Sequence, residues 1–403
     1  MIFWAIICHR LLENIAMNKT LEEIQPSATL AISAKAKQLA AEGYHVCNFA
    51  AGEPDFATPE CITNACIDAL HAGKTKYTAA KGLPDLCEAV ARKLKRANSL
   101  DYTANQVIIS SGGKQSLTMA FIALLNPGDE VIIPSPYWLS YPEMVRLAGG
   151  VPVFVKGEDS NGFKLTPDML EAAITPKTKA FVLNSPSNPT GLVYSEEELR
   201  AFGEVCVKHN VWIVSDEMYE RMVYGGTKHV SIASLSQDFY DRTITINGLS
   251  KAYAMTGWRL GYAAGPIEII KAMSTVQSHL ASAPTTFAQC AAIEALENGE
   301  EAIQPMLKAF EERNLRMYEL LSQIDGIVCQ RPMGAFYMFP NISAFGMKSR
   351  DFAAKLIEEK HVAAVPGVSF GSRDNLRFSY ACSLEEIEEG MRRFKEFCDS
   401  IKR

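Results

Sequence analysis

The cysteine and histidine spacings that are typical of zinc sites are missing from this chain of 403 residues. Its ten cysteines form no Cys-x-x-Cys pair, and its seven histidines form no His-x-x-x-His pair. Scattered cysteines of this kind are typical of reduced thiols in a cytoplasmic protein. The sequence therefore predicts no metal site, no disulfide framework and a cytoplasmic location.

The chain also lacks an excess of basic residues and a long hydrophobic run. Its 40 Lys and Arg stand against 46 Asp and Glu, whereas a nucleic-acid-binding protein needs a clustered basic surface. The apolar start, residues 1–8, is too short to span a bilayer and has neither the basic segment nor the cleavage site of a signal peptide. We expect no nucleic-acid partner, no membrane partner, and a dispensable extension at residues 1–16 ahead of Met17.

What the chain does contain is an alternation of short apolar strands and helices beyond residue 105. Continuous apolar strands separated by helices are typical of a mostly parallel sheet that is covered by helices on both faces. This α/β pattern predicts a large domain over residues 56–300. Residues 301–403 have the pattern of a smaller α+β domain, and residues 17–55 are expected to pack with it because chain ends often lie together.

Capping residues predict where several helices begin. Ser195 and Glu198 form a capping box, and Ser383 with Glu386 has the same spacing before the last helix. Thr58 stands before Pro59, which predicts a helix start with Thr58 as the cap and the proline at the first helical position.

Polar residues and glycines follow the predicted strands at their ends. Each of these segments alone is more typical of a turn, a helix cap or a solvated lysine. In parallel α/β sheets, however, ligands bind beyond the carboxyl ends of the strands, and a lysine held against an apolar fold can serve as an amine nucleophile. The residues in question are Gly112, Gly113, Asn188, Asp216, Tyr219 and Lys251.

The glycine pair predicts an anion site, because a strand that enters a helix through Gly112 and Gly113 exposes N–H groups at the positive helix end. An aldehyde cofactor with a phosphate and a pyridine ring needs such donors. It also needs a lysine for a Schiff base and an acid for the ring nitrogen.

At this point the chain resembles the fold-type I pyridoxal-phosphate aminotransferases, and among them the bacterial aspartate aminotransferase subgroup. The resemblance extends from about Leu21 to the C-terminus. The motifs that carry it are Pro26-Ser27-Ala28-Thr29, Gly52-Glu53-Pro54-Asp55, Ser187-Asn188-Pro189-Thr190-Gly191, Ser250-Lys251-Ala252, Gly257-Trp258-Arg259 and Leu376-Arg377-Phe378-Ser379.

The resemblance implies pyridoxal 5′-phosphate as cofactor and a role for each residue around it. Lys251 would form the Schiff base and then move the substrate Cα proton, and Asp216 would pair with the ring nitrogen. Tyr219 and Asn188 would hydrogen-bond the phenolic oxygen, and Trp138 would stack on the ring. The phosphate would be held by Arg259, by the amides of Gly112, Gly113 and Lys114, and by Tyr77 of a second subunit, which implies a homodimer with shared sites.

The resemblance further implies amino acids and 2-oxo acids as substrates. Arg377 would hold the α-carboxylate through a bidentate contact, and Lys114 matches the position that meets a distal carboxylate. A lysine in the first helical turn is disfavoured by the helix dipole, which favours a functional reason for Lys114. Gly52, Trp138 and Asn188 would complete the substrate site.

The expected reaction is ping-pong transfer of an amino group between aspartate, or another amino acid, and 2-oxoglutarate. Prephenate or aromatic amino-acid transamination remains an alternative, and so does a β-lyase that uses the same cofactor. A non-catalytic regulator with this fold would carry an N-terminal DNA-binding module, for which the segment before Thr20 has no room.

Overall fold

The structure, a computed structural model, describes residues 19–401, so the predicted extension at residues 1–16 lies outside it. Within that range, none of the helices is both long enough and apolar enough to span a bilayer. The longer helices are α1 (Lys19–Glu23), α2 (Ala28–Ala41), α3 (Glu60–His71), α4 (Pro84–Asn98), α5 (Gly113–Leu124), α6 (Ser140–Leu147), α7 (Pro167–Ala173), α8 (Glu196–Lys208), α9 (Gln237–Tyr240), α10 (Ile267–Leu280), α11 (Thr286–Asn298), α12 (Gln304–Ser322), α13 (Ser349–Lys360) and α14 (Leu384–Ile401). The strands are β1 (Cys47–Asn48), β2 (Val107–Ser110), β3 (Glu130–Ser135), β4 (Val151–Lys156), β5 (Thr178–Asn184), β6 (Trp212–Asp216), β7 (Thr243–Gly248), β8 (Gly261–Ala264), β9 (Tyr337–Met338), β10 (Val362–Ala363), β11 (Val365–Pro366) and β12 (Leu376–Ser379).

Seven strands form one large sheet in the order β2-β8-β7-β6-β5-β3-β4. Only β8 runs against its neighbours, so the predicted mostly parallel sheet is confirmed. Successive side chains of a strand enter opposite helical layers, as Val131 and Ile133 pack in one apolar cluster and Ile132 in another. This alternation explains why the central positions of a strand such as β3 are apolar on both faces.

The carboxyl ends of β5, β6 and β7 lie side by side. Asn184 at the end of β5 is in register with Asp216 at the end of β6, and Asp216 is in register with Ile246 on β7. The loops that follow these strands therefore leave the sheet at the same edge, which is where the sequence predicts a ligand site.

Two small sheets join the ends of the chain. β1 pairs in parallel with β10, with Cys47 opposite Val362, and β11, β12 and β9 form an antiparallel sheet. The N-terminal segment thus contacts the C-terminal part of the chain, as expected. The division into domains at residues 55 and 300 stays a prediction.

Two of the three capping predictions are confirmed, one in full and one in part. Ser195 and Glu198 form the complete box, with Glu198 N 3.2 Å from Ser195 Oγ and Ser195 N 2.7 Å from Glu198 Oε2. Ser383 Oγ accepts from Glu386 N at 3.2 Å, but the Glu386 carboxylate contacts His45 Nε2 at 3.1 Å. The second box is therefore only half formed.

The prediction that Thr58 caps a helix is wrong. α3 begins at Glu60 without a side-chain cap, and Pro59 lies just outside it. Thr58 Oγ1 instead donates to Ala254 O at 2.7 Å and accepts from Trp258 Nε1 at 3.0 Å. These two bonds tie the segment before α3 to the loop that carries Lys251, a long-range contact that local sequence does not reveal.

An ion pair joins the N-terminal segment to the long helix α12. Arg313 donates from Nη1 and Nη2 to the two carboxylate oxygens of Asp55, at 2.7 and 2.9 Å. The guanidinium carbon also lies 5.1 Å from the ring centroid of Phe56 and 5.5 Å from that of Phe310. Arg313 is 8% exposed, whereas the Asp55 side chain is 31% exposed, so the pair is enclosed mainly on the arginine side.

We expect Arg313→Met to lower the free energy of unfolding of the protein by about 2 kcal/mol, because Asp55 loses its bidentate partner and the buried guanidinium no longer packs on Phe56 and Phe310. Arg316→Met is the matched control in the same helix, since Arg316 pairs with Glu388 on the exposed face. Urea unfolding of both variants measures the difference. Equal losses in the two variants would contradict the special role of the enclosed pair.

Candidate active site

A cavity of about 490 Å³ lies at the carboxyl edge of the large sheet, between that sheet, the N-terminal segment and β12. Ten of the twelve predicted site residues line it: Gly52, Gly113, Lys114, Trp138, Asn188, Asp216, Tyr219, Lys251, Arg259 and Arg377. Gly112 is not among the lining residues but packs against the guanidinium of Arg259. Tyr77 does not enter this cavity, and its side chain is 94% exposed on the surface.

Lys251 lies in the loop between β7 and β8, as predicted. Its Nζ donates to the carbonyl oxygen of Gly52 and lies 5.8 Å from the ring centroid of Phe336. Burial lowers the pKa of Lys251 to about 8, against the opposing effect of Glu53 and with smaller contributions from Arg377 and Arg259. Near pH 8 a large fraction of this amine is therefore unprotonated and nucleophilic.

Asp216 ends β6 and is 5% exposed. Burial raises the pKa of this carboxyl group to about 6, although donors stabilise the ionised form. Tyr141 Oη donates to Oδ2 at 2.6 Å, and Met218 N donates to Oδ1 at 3.2 Å. No cation among residues 19–401 forms an ion pair with Asp216, and a buried carboxylate of this kind is suited to receive a protonated ring nitrogen from a ligand.

Arg377 is almost fully buried, at 2% exposure. Its Nη1 donates to Asn188 Oδ1 at 3.1 Å and its Nη2 donates to Ala50 O at 3.0 Å. Its Nε atom has no partner among the described residues. The guanidinium carbon lies 4.4 Å from the ring centroid of Tyr337 and 4.9 Å from that of Phe370. A cation in this setting lacks only an anionic partner.

Tyr219 contacts the same group of residues. Its hydroxyl lies 2.9 Å from the hydroxyl of Tyr337, and burial raises its pKa well above the ordinary value for tyrosine. Tyr219 therefore remains protonated at neutral pH and can donate a hydrogen bond into the cavity.

The glycine pair and Arg259 form a narrow cradle. Gly112 has a φ of 86°, and a Cβ atom there would lie 2.6 Å from Arg259 Nη2. A Cβ atom at Gly113 would lie 2.4 Å from Met218 Cε. α5 begins at Gly113, so its first N–H groups point to the same place as the Arg259 guanidinium. Only residues without side chains leave this space for an anion such as phosphate.

Lys114 follows in the first turn of α5, and its Nζ lies 5.0 Å from the ring centroid of Trp138. Burial and the nearby Arg259 lower the pKa of Lys114. Trp138 itself contacts Tyr141 edge-on, with ring centroids 5.3 Å apart. Lys114 is exposed, and its side chain stands at the cavity wall beside Trp138, where a ligand can reach it.

The cavity has an excess of positive charge. Lys114, Arg259 and Arg377 form no ion pair with any carboxylate in residues 19–401. A phosphate-bearing pyridine aldehyde fits this donor set: the glycine cradle suits the phosphate, Asp216 suits the ring nitrogen and Lys251 suits the aldehyde.

Two residues that the sequence did not single out complete the site. Tyr141 bonds Asp216, and Tyr337 bonds Tyr219 while it stacks on Arg377. Tyr141 follows Trp138 by three residues in an aromatic run, a weak local signal. Tyr337 reaches the site from β9 in the C-terminal part of the chain, and no local signal predicts that contact.

Known proteins match the chain over nearly its whole length. The family model "aminotransferase class I and II" matches residues 44–394. The aspartate aminotransferase of Geobacillus stearothermophilus is 52% identical over 387 residues, which cover 95% of this chain and 98% of that protein. The aspartate/prephenate aminotransferase of Cereibacter sphaeroides is 49% identical and covers 96% of this chain and 99% of its own.

A solved structure has the same fold. The structure of aspartate aminotransferase from Thermus thermophilus with maleate has a TM-score of 0.91 at 44% identity, and the match covers 95% of this chain and 99% of that one. The predicted resemblance is confirmed, and so is the dependence on pyridoxal phosphate that this family shares. The chain therefore belongs to the class I and II aminotransferases and is a pyridoxal-phosphate-dependent transaminase.

Proposed function

We propose that this transaminase moves the amino group of aspartate to 2-oxoglutarate by a ping-pong mechanism. The observation that carries the proposal is the set of cavity-lining cations without carboxylate partners among the described residues: Arg377 and Lys114 for the two carboxylates of a dicarboxylic substrate, and Arg259 for phosphate. The relatives named aspartate aminotransferase support the same substrate.

When bound, pyridoxal phosphate supplies an electrophilic aldehyde and an electron-accepting ring. Lys251 would attach to that aldehyde and, once released by substrate, carry the Cα proton. Its pKa of about 8 supports both tasks, because the amine must lose a proton to attack and to act as a base.

The other cavity residues would hold the cofactor in place. Asp216 would keep the ring nitrogen protonated, Tyr219 and Asn188 would donate to the phenolic oxygen, and Trp138 would cover one ring face. The phosphate would lie in the cradle made by Arg259 and the amides of Gly112, Gly113 and Lys114.

Arg377 would bind the substrate α-carboxylate, which supplies the anionic partner that the buried guanidinium lacks. Its hydrogen bonds to Asn188 and Ala50 O hold the guanidinium plane in one orientation, as bidentate recognition requires. Gly52, whose carbonyl accepts from Lys251, would face the same carboxylate side of the substrate.

Prephenate or aromatic substrates are the second candidate. Relatives named aspartate/prephenate aminotransferase support prephenate, and Trp138 with Tyr337 could contact a ring. A panel that pairs several amino donors with oxaloacetate, 2-oxoglutarate and prephenate separates the two candidates by kcat/KM.

We also propose a homodimer with shared sites in the cytoplasm. The side chain of Tyr77 is 94% exposed and so is free to enter the site of a second subunit, which supports the shared site. The nine cysteines of the described part are all free thiols, which supports a reducing compartment. Cell fractionation tests the location.

We expect Lys251→Ala to abolish turnover and the visible absorbance that the linkage between lysine and cofactor produces. Lys271→Ala, a change of an exposed lysine that pairs with Glu268, serves as control and should leave both unchanged. Spectra and steady-state assays measure the two effects. A Lys251→Ala protein with normal turnover would end the proposal.

Lys114→Ala should lower kcat/KM for aspartate by roughly ten- to a hundredfold more than for phenylalanine, because only the dicarboxylic substrate loses a charge-assisted contact. Lys114→Arg should keep most of the preference for aspartate, since it retains the charge. Equal losses on both substrates would rule out the distal-carboxylate role.

Subunit mixing tests the shared site. Lys251→Ala and Tyr77→Ala chains, each of low activity alone, should regain up to about a quarter of wild-type activity after joint unfolding and refolding, because half of the dimers would be hybrids with one intact site. If Tyr77 serves the site of its own chain, or if the protein is a monomer by analytical ultracentrifugation, mixing restores nothing.

A further inference from the structure

Residues 216–220, at the end of β6 and just after it, have side chains in two different environments. Asp216 and Tyr219 line the cavity, whereas Glu217 and Glu220 lie outside the cavity lining and are 1% and 8% exposed. Backbone bonds make the segment compact, with Glu217 N donating to Ile246 O at 2.9 Å and Glu220 N donating to Glu217 O at 3.0 Å. A shift of either glutamate therefore moves a residue that faces the cofactor.

Glu220 is held by α4. Lys93 Nζ donates to Glu220 Oε1, and Asn98 Nδ2 donates to Glu220 Oε2 at 2.7 Å. Lys93 also donates to Asn98 Oδ1 at 2.9 Å. Lys93 and Asn98 are 4% and 6% exposed, so this is an enclosed, hydrogen-bonded ion pair.

Glu217 accepts hydrogen bonds on both of its oxygens. Ser215 Oγ donates to Oε1 at 3.0 Å, and Ser231 Oγ donates to Oε2 at 2.5 Å. His229 Nε2 lies 2.9 Å from the same Oε2. Asn98 Nδ2 approaches Glu217 Oε2 at 3.4 Å and so joins the two glutamates into one network.

Stability alone is a weak explanation for such a network. An enclosed ion pair seldom stabilises a fold more than apolar side chains of the same shape would, because both charges lose their hydration. Its more distinctive property is the field it creates beside the cavity. Burial raises the pKa of Asp216, the hydrogen bonds from Tyr141 and Met218 lower it, and the charge of Glu217 raises it. The charge of the network therefore acts on the Asp216 carboxyl group.

We propose that the buried network of Lys93, Asn98, Glu217, Glu220 and His229 positions Asp216 and Tyr219, and that its charge balance sets the acid–base behaviour of the bound cofactor. The inference rests on the proposed function, because it acts through the roles given there to Asp216 and Tyr219. The charges of Glu217 or Glu220 also act on three other titratable groups, the side chains of Tyr102, Tyr253 and Tyr262.

The test uses the pH midpoint at which the visible absorbance of the holoenzyme changes. Lys93→Met leaves the network with excess negative charge, which favours the protonated linkage at Lys251, so the midpoint should rise by roughly 0.5 to 1 pH unit. Glu220→Gln leaves excess positive charge and should lower the midpoint by a similar amount. The double variant Lys93→Met/Glu220→Gln restores the balance and should return the midpoint close to that of the unmodified enzyme.

A purely structural role would not give shifts of opposite sign. Leu170→Ala, which removes a buried side chain in another apolar cluster, is the control for lost stability and should lower the thermal midpoint without moving the absorbance midpoint. Unchanged midpoints in Glu220→Gln and in the double variant, or shifts of the same sign in both single variants, would overturn the inference. If Lys93→Met does not fold, Glu220→Gln and the double variant still decide.

Asp216→Asn separates this inference from the proposed function. It should weaken cofactor retention during dialysis and change the absorbance spectrum. An Asp216→Asn protein that keeps both would contradict the role of Asp216 itself. A changed Asp216→Asn protein together with unmoved midpoints in the network variants would contradict only the network's role.

Discussion

Burial of the Arg377 guanidinium is the constraint that draws the rest of the structure together. A guanidinium at 2% exposure without a carboxylate must find its partners among neutral groups. Those partners come from distant parts of the chain: the carbonyl of Ala50, the amide oxygen of Asn188 and the rings of Tyr337 and Phe370. The N-terminal segment, the large sheet and the C-terminal lobe therefore meet at one cation, and the binding site is the place where they meet.

The short turn that begins at the end of β6 also joins two parts of the structure. Asp216 and Tyr219 line the cavity while the neighbouring Glu217 and Glu220 belong to a buried polar network, so one short turn lies in two environments. Such a turn is rigid because each of its polar side chains has a hydrogen-bond partner. Rigidity of this kind suits residues that must hold a cofactor ring in one orientation.

Much of the site could be predicted from local sequence because its residues lie at strand ends. The apolar strands β5, β6 and β7 indicated a parallel sheet. Asp216 is the last residue of β6, and Asn188 and Lys251 lie in the loops that follow β5 and β7. The prediction for Thr58 failed because its hydroxyl bonds Ala254 O and so serves a distant loop instead of its own helix. Propensity describes a residue's neighbours along the chain, whereas this contact spans nearly two hundred residues.

By itself, the sequence determined the family, the mostly parallel α/β sheet and the glycine pair at Gly112 and Gly113, and it named ten residues that line the cavity. Only the tertiary structure decided that Tyr141 bonds Asp216, that Tyr337 covers Arg377, and that burial lowers the pKa of Lys251 to about 8. The physical reason is that residue type and spacing are properties of a chain, while desolvation depends on which distant groups exclude water from an atom.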